Sequence, residues 1–464
     1  MLLRSSVAPG SWPAILTGNA ATLIALQQQL DASQWWSAAQ LRVHQFHQLQ
    51  RLVAAAIRTV PFYAQRLAAV GLQAGTPISE ELWARIPILT RKDVRQAGMA
   101  LHATETPLSH GGIAEVTTGG STGVPVRVRK TYLTQLMWEA THIREKLWQH
   151  EDMGGTVVRL LSLPPGTDPA VLDSMQTPAG AVFPNWGGID DALWQTGKHT
   201  AMSDTMRIAD QAAFARLHQA NHILTMPANL RLLVAYFRKT NTSLPSLRSI
   251  WTQSEIVDDT LRQDCRDIFN CEIVDNYSAA ETGFIALQCP GHTTYHIQSE
   301  TMFVEILDAN GRPCAPGEIG RVIVTPLHNY ATPLLRYEVA DEAECGAPCP
   351  CGRGLPVLNR IVGRSTDHLT IAPGDYRRPN LGYYQLAKIR AIEEFQYVQR
   401  SLTMIELMLV TDRPLNAEEI LEIREMVAFN MGPEFELHIT YHRTLPRTKA
   451  GKLRPFISDL PQAQ

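Results

Sequence analysis

Leu247-Arg248-Ser249-Ile250-Trp251-Thr252, a helical stretch from Asp258 to Phe269, and Glu272-Ile273-Val274-Asp275 follow one another in close succession. Two short apolar segments separated by a helix form the repeating unit of a parallel, layered α/β core. Upstream the same alternation appears in the strand-like Gly155-Thr156-Val157-Val158-Arg159-Leu160-Leu161 and the helical Ala228 to Phe237. Downstream, from about Glu300, the pattern turns β-rich. Phe303-Val304-Glu305-Ile306-Leu307 runs into Asp308-Ala309-Asn310-Gly311, a hairpin turn signal, and Arg321-Val322-Ile323-Val324-Thr325 follows. The first hundred residues read as helical. From Gln40 to Ile57, Leu49, Leu52, Val53, Ala56 and Ile57 recur three and four apart until Pro61 ends the run. The expected fold is therefore α/β. A large N-terminal domain, 1–363, carries parallel and mixed sheets with a β-rich subdomain, and a small α+β domain occupies 364–464.

A chain of 464 residues exceeds what one hydrophobic core usually supports, which fits two or more domains. Forty-two basic and forty-five acidic residues leave a net charge of −3. No whole-molecule field for nucleic acid or an anionic membrane results, so any phosphate must be held locally. No window approaches the roughly 20 uninterrupted apolar residues of a membrane span. The opening Met1-Leu2-Leu3-Arg4 lacks the apolar core and cleavage site of a secretory leader. Seven cysteines are an odd number, and six of them lie between Cys271 and Cys351. A disulfide framework would be spread more evenly, so a reducing cytoplasm is expected.

Four segments carry chemistry. Thr117-Thr118-Gly119-Gly120-Ser121-Thr122-Gly123-Val124-Pro125 has glycines that let backbone approach a ligand, with hydroxyl and N–H donors for phosphate oxygens. No Gly-Lys-Ser/Thr closes it as in a Walker loop, and a Gly/Ser/Thr run is more often a flexible turn. Asn276-Tyr277-Ser278-Ala279-Ala280-Glu281-Thr282-Gly283 directly follows an expected strand, at the carboxyl edge where open α/β sheets bind ligands. An aromatic and a carboxylate there can stack a base and hold a metal; alone, the segment would read as a polar loop. Pro333-Leu334-Leu335-Arg336-Tyr337-Glu338-Val339-Ala340-Asp341, with Arg360-Ile361-Val362-Gly363-Arg364-Ser365-Thr366-Asp367, is the third. Pro446-Arg447-Thr448-Lys449-Ala450-Gly451-Lys452-Leu453-Arg454 is the fourth, a basic tail unless Lys452 serves as a point charge for an oxyanion.

In this order the four segments closely resemble the adenylate-forming superfamily of acyl-CoA synthetases, peptide-synthetase adenylation domains and luciferases. Val60-Pro61-Phe62-Tyr63, Cys349-Pro350-Cys351-Gly352-Arg353 and Phe395-Gln396-Tyr397-Val398-Gln399 are similar to its phenylacetate–CoA ligase and CapK-like branch. The resemblance runs from about residue 40 to 457. It implies that ATP and Mg²⁺ activate a small carboxylic acid as an acyl-AMP. The acyl group then passes to CoA or to the phosphopantetheine of a carrier protein. Thr118, Gly119, Gly120, Ser121, Thr122 and Gly123 would hold the pyrophosphate end of ATP. Tyr277 would stack on adenine, with Asn276, Ser278 and the Gln253-Ser254-Glu255 turn nearby. Glu281 would ligate Mg²⁺, and Asp341, aided by Arg364, would take the ribose hydroxyls. Lys452 would reach the reacting carboxylate and α-phosphate, carried by a C-terminal domain that pivots near Arg364. Met226, Gln253, Ala279, Ala280 and Ile285 would line the acid pocket, whose small apolar residues suit a flat aromatic acid. The chain departs from relatives at Val124, where lysine is common, at Ala280 and at Thr366. The last two bear on metal geometry and domain rotation. Capture of the adenylate by an amine, and a non-catalytic nucleotide-binding homologue, are the competing readings. A homodimer is left open.

Cys289-Pro290-Gly291-His292-Thr293-Thr294-Tyr295-His296 and Cys345 with Cys349-Pro350-Cys351 offer soft ligands from two segments. Cys289, His296, Cys349 and Cys351 would complete a tetrahedral, structural Zn²⁺ site, with His292 as a substitute for His296 and Cys345 as a spare. Cys-x-Cys is tighter than the usual Cys-x₂-Cys, and phenylacetate–CoA ligase relatives are similar here. The plain alternative is a set of reduced cysteines in a Gly/Pro loop.

Overall fold

A computed structural model describes residues 3–7, 10–117, 126–161, 167–362, 368–372, 375–377, 379–386, 388–389, 391–446 and 454–460. Among these, twelve strands join one sheet. Its parallel part places Glu272–Ala279, Ser249–Thr252, His222–Thr225, Val157–Leu160 and His199–Met202 side by side, with Ala181–Phe183 antiparallel at the edge. The other part continues antiparallel through Gly283–Gln288, Tyr295–Ile297, Val357–Val362, Tyr337–Cys345, Ile319–Pro326 and Met302–Leu307.

Both faces of the parallel part are covered, as its continuous apolar strands require. On one face, Ile223, Ile250 and Ile273 pack with the helices Ile208–Leu217, Pro227–Thr240 and Asp259–Phe269. On the other, Val157, Trp251 and Val274 meet the helices Gly18–Ser33, Tyr132–Trp148 and Gly188–Leu193. Asp258 caps its helix by accepting from the Leu261 N–H, and Asn270 ends it in the left-handed conformation. The antiparallel part shares its core with the N-terminal helix Ala38–Thr59. That helix opens with a Ser37/Gln40 capping box and buries Leu49, Leu52, Val53 and Ala56, the stripe read from the sequence. Pro61 does more than end it, standing at the first position of the next helix, Pro61–Ala68.

A four-stranded sheet of Glu436–Tyr441, Met404–Thr411, Ile392–Gln399 and Phe456–Ser458, with the helix Ala417–Met431, forms a small α+β unit with its own core. The junction expected at 363–364 lies outside the described residues. No described helix is long and apolar enough to cross a membrane.

The two parts of the large sheet are tied across their shared helix. Arg144, 3% exposed, donates to Glu300 at 2.9 and 3.1 Å, to Gln298 at 2.8 Å and to the Leu30 carbonyl. Ser33 also donates to Glu300. Burial alone would raise the Glu300 carboxyl, but Arg144 outweighs it and holds the group below its ordinary value. Arg144→Met strands a buried carboxylate, so urea unfolding should show a loss of about 3–5 kcal/mol at pH 7. A depressed carboxyl contributes stability above its unfolded pKa, and that contribution fades as pH falls through the folded one. In the variant, burial without the guanidinium raises the carboxyl, so acid should narrow the gap between variant and wild type. A gap independent of pH would contradict the pairing.

Candidate functional site

The strand Glu272–Ala279 sets the site. Over Glu272–Asp275 it pairs parallel with Ser249–Thr252; from Asn276 it pairs antiparallel with Gly283–Gln288, with a register shift between Tyr277 and Ser278. The strand expected to end at Asp275 thus runs on to Ala279, because the antiparallel partner takes up its backbone where the parallel neighbour stops. Thr225, Thr252 and Asp275 stand in register at the carboxyl edge of the parallel part. Met226, Gln253 and Asn276 follow them, so three residues expected at the ligand site come together just beyond that edge. Beneath them Asp275 accepts from Thr252 at 2.8 Å and Tyr295 at 2.6 Å, and burial pushes its carboxyl up to about 6.

Two tyrosine–carboxylate bonds join the second and third motifs. The Tyr277 hydroxyl donates to Asp341 at 3.1 Å, and the Tyr337 hydroxyl donates to Glu281 at 3.0 Å. Burial, then the neighbouring carboxylates, raise both phenols well above their ordinary value, which keeps them protonated donors. Glu281 is 6% exposed, while Asp341 is half-buried. The Tyr277 ring belongs to the buried core and is 7% exposed. Arg336, whose guanidinium pairs with Glu305 and donates to the Ala84 and Ile86 carbonyls, anchors the strand that carries Tyr337 and Asp341.

Lys130 was not singled out in the sequence. It sits on the strand Arg127–Thr131 and donates to the Ala280 carbonyl at 2.6 Å. Burial lowers its ammonium to about 8, opposed by the Glu281 charge. Its position in the basic run Arg127-Val128-Arg129-Lys130, just after the Gly/Ser/Thr segment, was the available signal.

The other expected residues divide. Asn276 donates to Glu145 at 3.1 Å, and Ser278 donates to Asn276 at 3.1 Å. Ser254 takes a φ of 69°, and Glu255 accepts from the Ala228 N–H at 2.8 Å, satisfying the first turn of the helix Pro227–Thr240. Ala279 packs against the buried core with Ile285, which is fully buried there, apart from the Met226–Gln253–Asn276 row. Thr118, Gly119, Gly120, Ser121, Thr122, Gly123, Arg364 and Lys452 lie outside the described residues, as do Val124 and Thr366.

Where Gly283–Gln288 turns into Tyr295–Ile297, beside the segment that leads into Val357–Val362, the ligand atoms of Cys289, His296, Cys349 and Cys351 lie within 4.8 Å of one another. The Cys289 and Cys349 sulfurs are 3.7 Å apart, and Cys351 Sγ is 3.3 Å from His296 Nε2. Zn–S of about 2.3 Å and Zn–N of about 2.0 Å in a tetrahedron imply roughly 3.8 and 3.5 Å for these separations, so the donor set fits the ion. His296 Nδ1 faces the Leu355 carbonyl at 3.3 Å, leaving Nε2 to ligate. Burial lowers its pKa to about 4, which keeps the ring neutral. His292 and Cys345, the substitutes considered from sequence, fall outside this set. A cavity of about 400 Å³ borders it, lined in part by His292, Pro316, Cys349 and Asn359.

No family model matches the chain. In sequence it is similar to Protein CapK of Staphylococcus aureus, 25% identical over 221 residues that span 46% of this chain and 46% of that protein. It is also similar to a phenylacetate-coenzyme A ligase of Thermus thermophilus, 27% identical over 34% of this chain and 41% of that protein. The chain thus spans less than half the length of each of these relatives. In fold it is similar to 2-hydroxyisobutyryl-CoA ligase in complex with 2-HIB-AMP and CoA, with a TM-score of 0.59 at 19% identity over 91% of this chain and 90% of that one. An open conformation of that ligase gives 0.53 at 18% identity over 89% and 91%. The chain has the mixed-sheet fold of the adenylate-forming CoA ligases, and its sequence relatives are of the phenylacetate–CoA ligase and CapK kind.

Proposed function

We propose that the chain is an ATP-dependent acid–thiol ligase. The observation that carries this reading is the pair of bonds Tyr277–Asp341 and Tyr337–Glu281, which gathers two separate motifs at the carboxyl edge of the parallel sheet. The acid's carboxylate oxygen attacks the α-phosphorus of ATP, the bond to pyrophosphate breaks, and an acyl-AMP forms. A thiolate of CoA or of a carrier protein's phosphopantetheine then attacks the acyl carbon and expels AMP. Glu281 would hold Mg²⁺, which neutralises phosphate charge when bound. Tyr337 orients the Glu281 carboxylate for that task, and Lys130 supplies a positive charge beside it. Asp341, oriented by Tyr277, accepts from the ribose hydroxyls. Thr118 to Gly123 and Lys452 act on the phosphates, Arg364 supports the ribose contact, and residues 364–464 move as a small domain relative to 1–363. Seven cysteines, none joined in a disulfide, support a reducing, cytoplasmic setting.

Acid-dependent exchange of labelled pyrophosphate into ATP tests the first half-reaction, and its absence across a broad panel of acids removes the reading. Addition of CoA, carrier protein or amines identifies the acceptor. Asp341→Ala should raise the dissociation constant for a non-hydrolysable ATP analogue by roughly one to two orders of magnitude, as loss of charge-assisted bonds of about 1.5–3 kcal/mol requires. Asp341→Asn, which keeps an acceptor for Tyr277, serves as the control for folding. Unchanged nucleotide affinity in both variants takes Asp341 out of the site.

Zn²⁺ bound by Cys289, His296, Cys349 and Cys351 would clip two loops of the antiparallel part without touching the reaction. Elemental analysis of protein purified without added metal should find about one zinc per chain, and Cys349→Ser should lower both zinc content and melting temperature. Metal-free wild-type protein would sink this assignment.

A further inference from the structure

A buried charged cluster adjoins the candidate site on the sheet face that packs against the helix Tyr132–Trp148. Lys146, only 4% exposed, places Nζ 3.1 Å from the centroid of the Trp251 ring. Its ammonium makes no hydrogen bond or close ion pair among the described residues, although Glu151, Glu145 and Asp190 act on it through space, and its backbone carbonyl accepts from the Glu151 N–H. Arg159 Nε is likewise buried without a hydrogen-bond partner, and Asp190 is the carboxylate that acts on this guanidinium through space. Arg159 stands in register with Leu224, and Leu224 with Trp251, so Arg159 and the Trp251–Lys146 pair are two strands apart on one face. Two strand spacings are roughly 10 Å, which the two long side chains bracket.

Three carboxylates balance these cations through space, yet the hydrogen bonds each makes go elsewhere. Glu151 accepts from Trp251 Nε1 at 2.6 Å and from Ser249 at 3.0 Å. Asp190 faces His142 Nε2 at 3.1 and 3.2 Å with its two oxygens, and Glu145 accepts from Asn276. In a purely structural ion network the ammonium and guanidinium would sit on those oxygens, since an unmade charged hydrogen bond costs more than a neutral one. Here neutral donors and an imidazole take the hydrogen bonds of the carboxylates, and Arg159 Nε is left over, with Lys146 Nζ turned to the Trp251 ring.

The location is what gives this meaning. Asn276 belongs to the Met226–Gln253–Asn276 row, and its partner Glu145 is the neighbour of Lys146. Trp251 lies on the strand Ser249–Thr252, two residues before Gln253, which follows its end. The cluster therefore forms the floor below that row. Trp138, 40% exposed, stacks on His142 and Phe284 above it and offers an aromatic wall on the solvent side.

We infer that Lys146 and Arg159 form the distal end of the acid-binding pocket and receive a second anionic group, so that the acid activated is a small carboxylic acid bearing another anion, such as a dicarboxylate. This rests on the acid-activating reading for its chemistry, yet binding alone tests it. Calorimetric titration should compare succinate, glutarate, adipate and terephthalate with butyrate, valerate, hexanoate and benzoate. At least one dicarboxylate should bind about tenfold tighter than its monocarboxylate partner, the worth of one charge-assisted contact. Lys146→Met and Arg159→Met should each erase that preference, and Lys146→Arg should restore part of it. No preference in the wild-type protein overturns the inference, as does a preference that survives both substitutions. Cation-dependent dicarboxylate binding without pyrophosphate exchange would instead defeat the ligase reading and leave the subsite standing. Exchange confined to monocarboxylates would do the reverse.

Discussion

The fold depends on one buried ion pair. Arg144 and Glu300 join a helix on the parallel part of the sheet to a turn in the antiparallel part, and the first helix of the chain is bound into the same knot through Leu30 and Ser33. Replacing such a pair with apolar groups would often be harmless, whereas halving it is not. Its value here is directional. Arg144 fixes the rotation of the helix Tyr132–Trp148, and so decides that Glu145 and Lys146 face the sheet.

The second constraint is the change of partner along Glu272–Ala279. A strand leaving a parallel neighbour normally ends in a loop, and loops place side chains loosely. Here the antiparallel hairpin takes over the backbone, so Tyr277 keeps a defined register and can meet Asp341 across 64 residues of chain. Polar groups that would be costly if orphaned in a core instead satisfy one another in pairs, and the carboxylates are presented already oriented.

Much of this was legible in the sequence. The strands at 157–160 and 249–252 and the helices at 227–240 and 259–269 fall where apolar spacing placed them, because each buries a continuous face. The four metal-type ligands were legible too, since cysteine and histidine in two short segments have few other reasons to cluster. What escaped were residues defined by contact alone. Lys130, Lys146 and Arg159 look like ordinary surface cations in one dimension, and only burial against Ala280 and Trp251 distinguishes the two lysines. That the strand ending at Asp275 continues through Asn276 to Ala279 also escapes the sequence, because polar residues at a sheet edge resemble a turn until the second partner is known. Glu255, expected near the nucleotide, also accepts from the Ala228 N–H, a contact that apolar spacing could not show.

The N-terminal helices have a consequence for how the chain reaches its native state. Gln34 accepts from Arg353, the Gln34 carbonyl accepts from the Gly354 N–H, Gln45 donates to the Ser299 and Met302 carbonyls, and Tyr63 donates to the Pro333 carbonyl. These partners are 254 to 320 residues away along the chain. On a ribosome the first helices emerge long before any surface exists to receive them. Their apolar stripes must wait, exposed, until synthesis passes residue 354. Loop closure over such lengths adds little to the equilibrium cost but much to the delay. A segment made this early is therefore among the last to dock, and during that interval it is open to association with other chains.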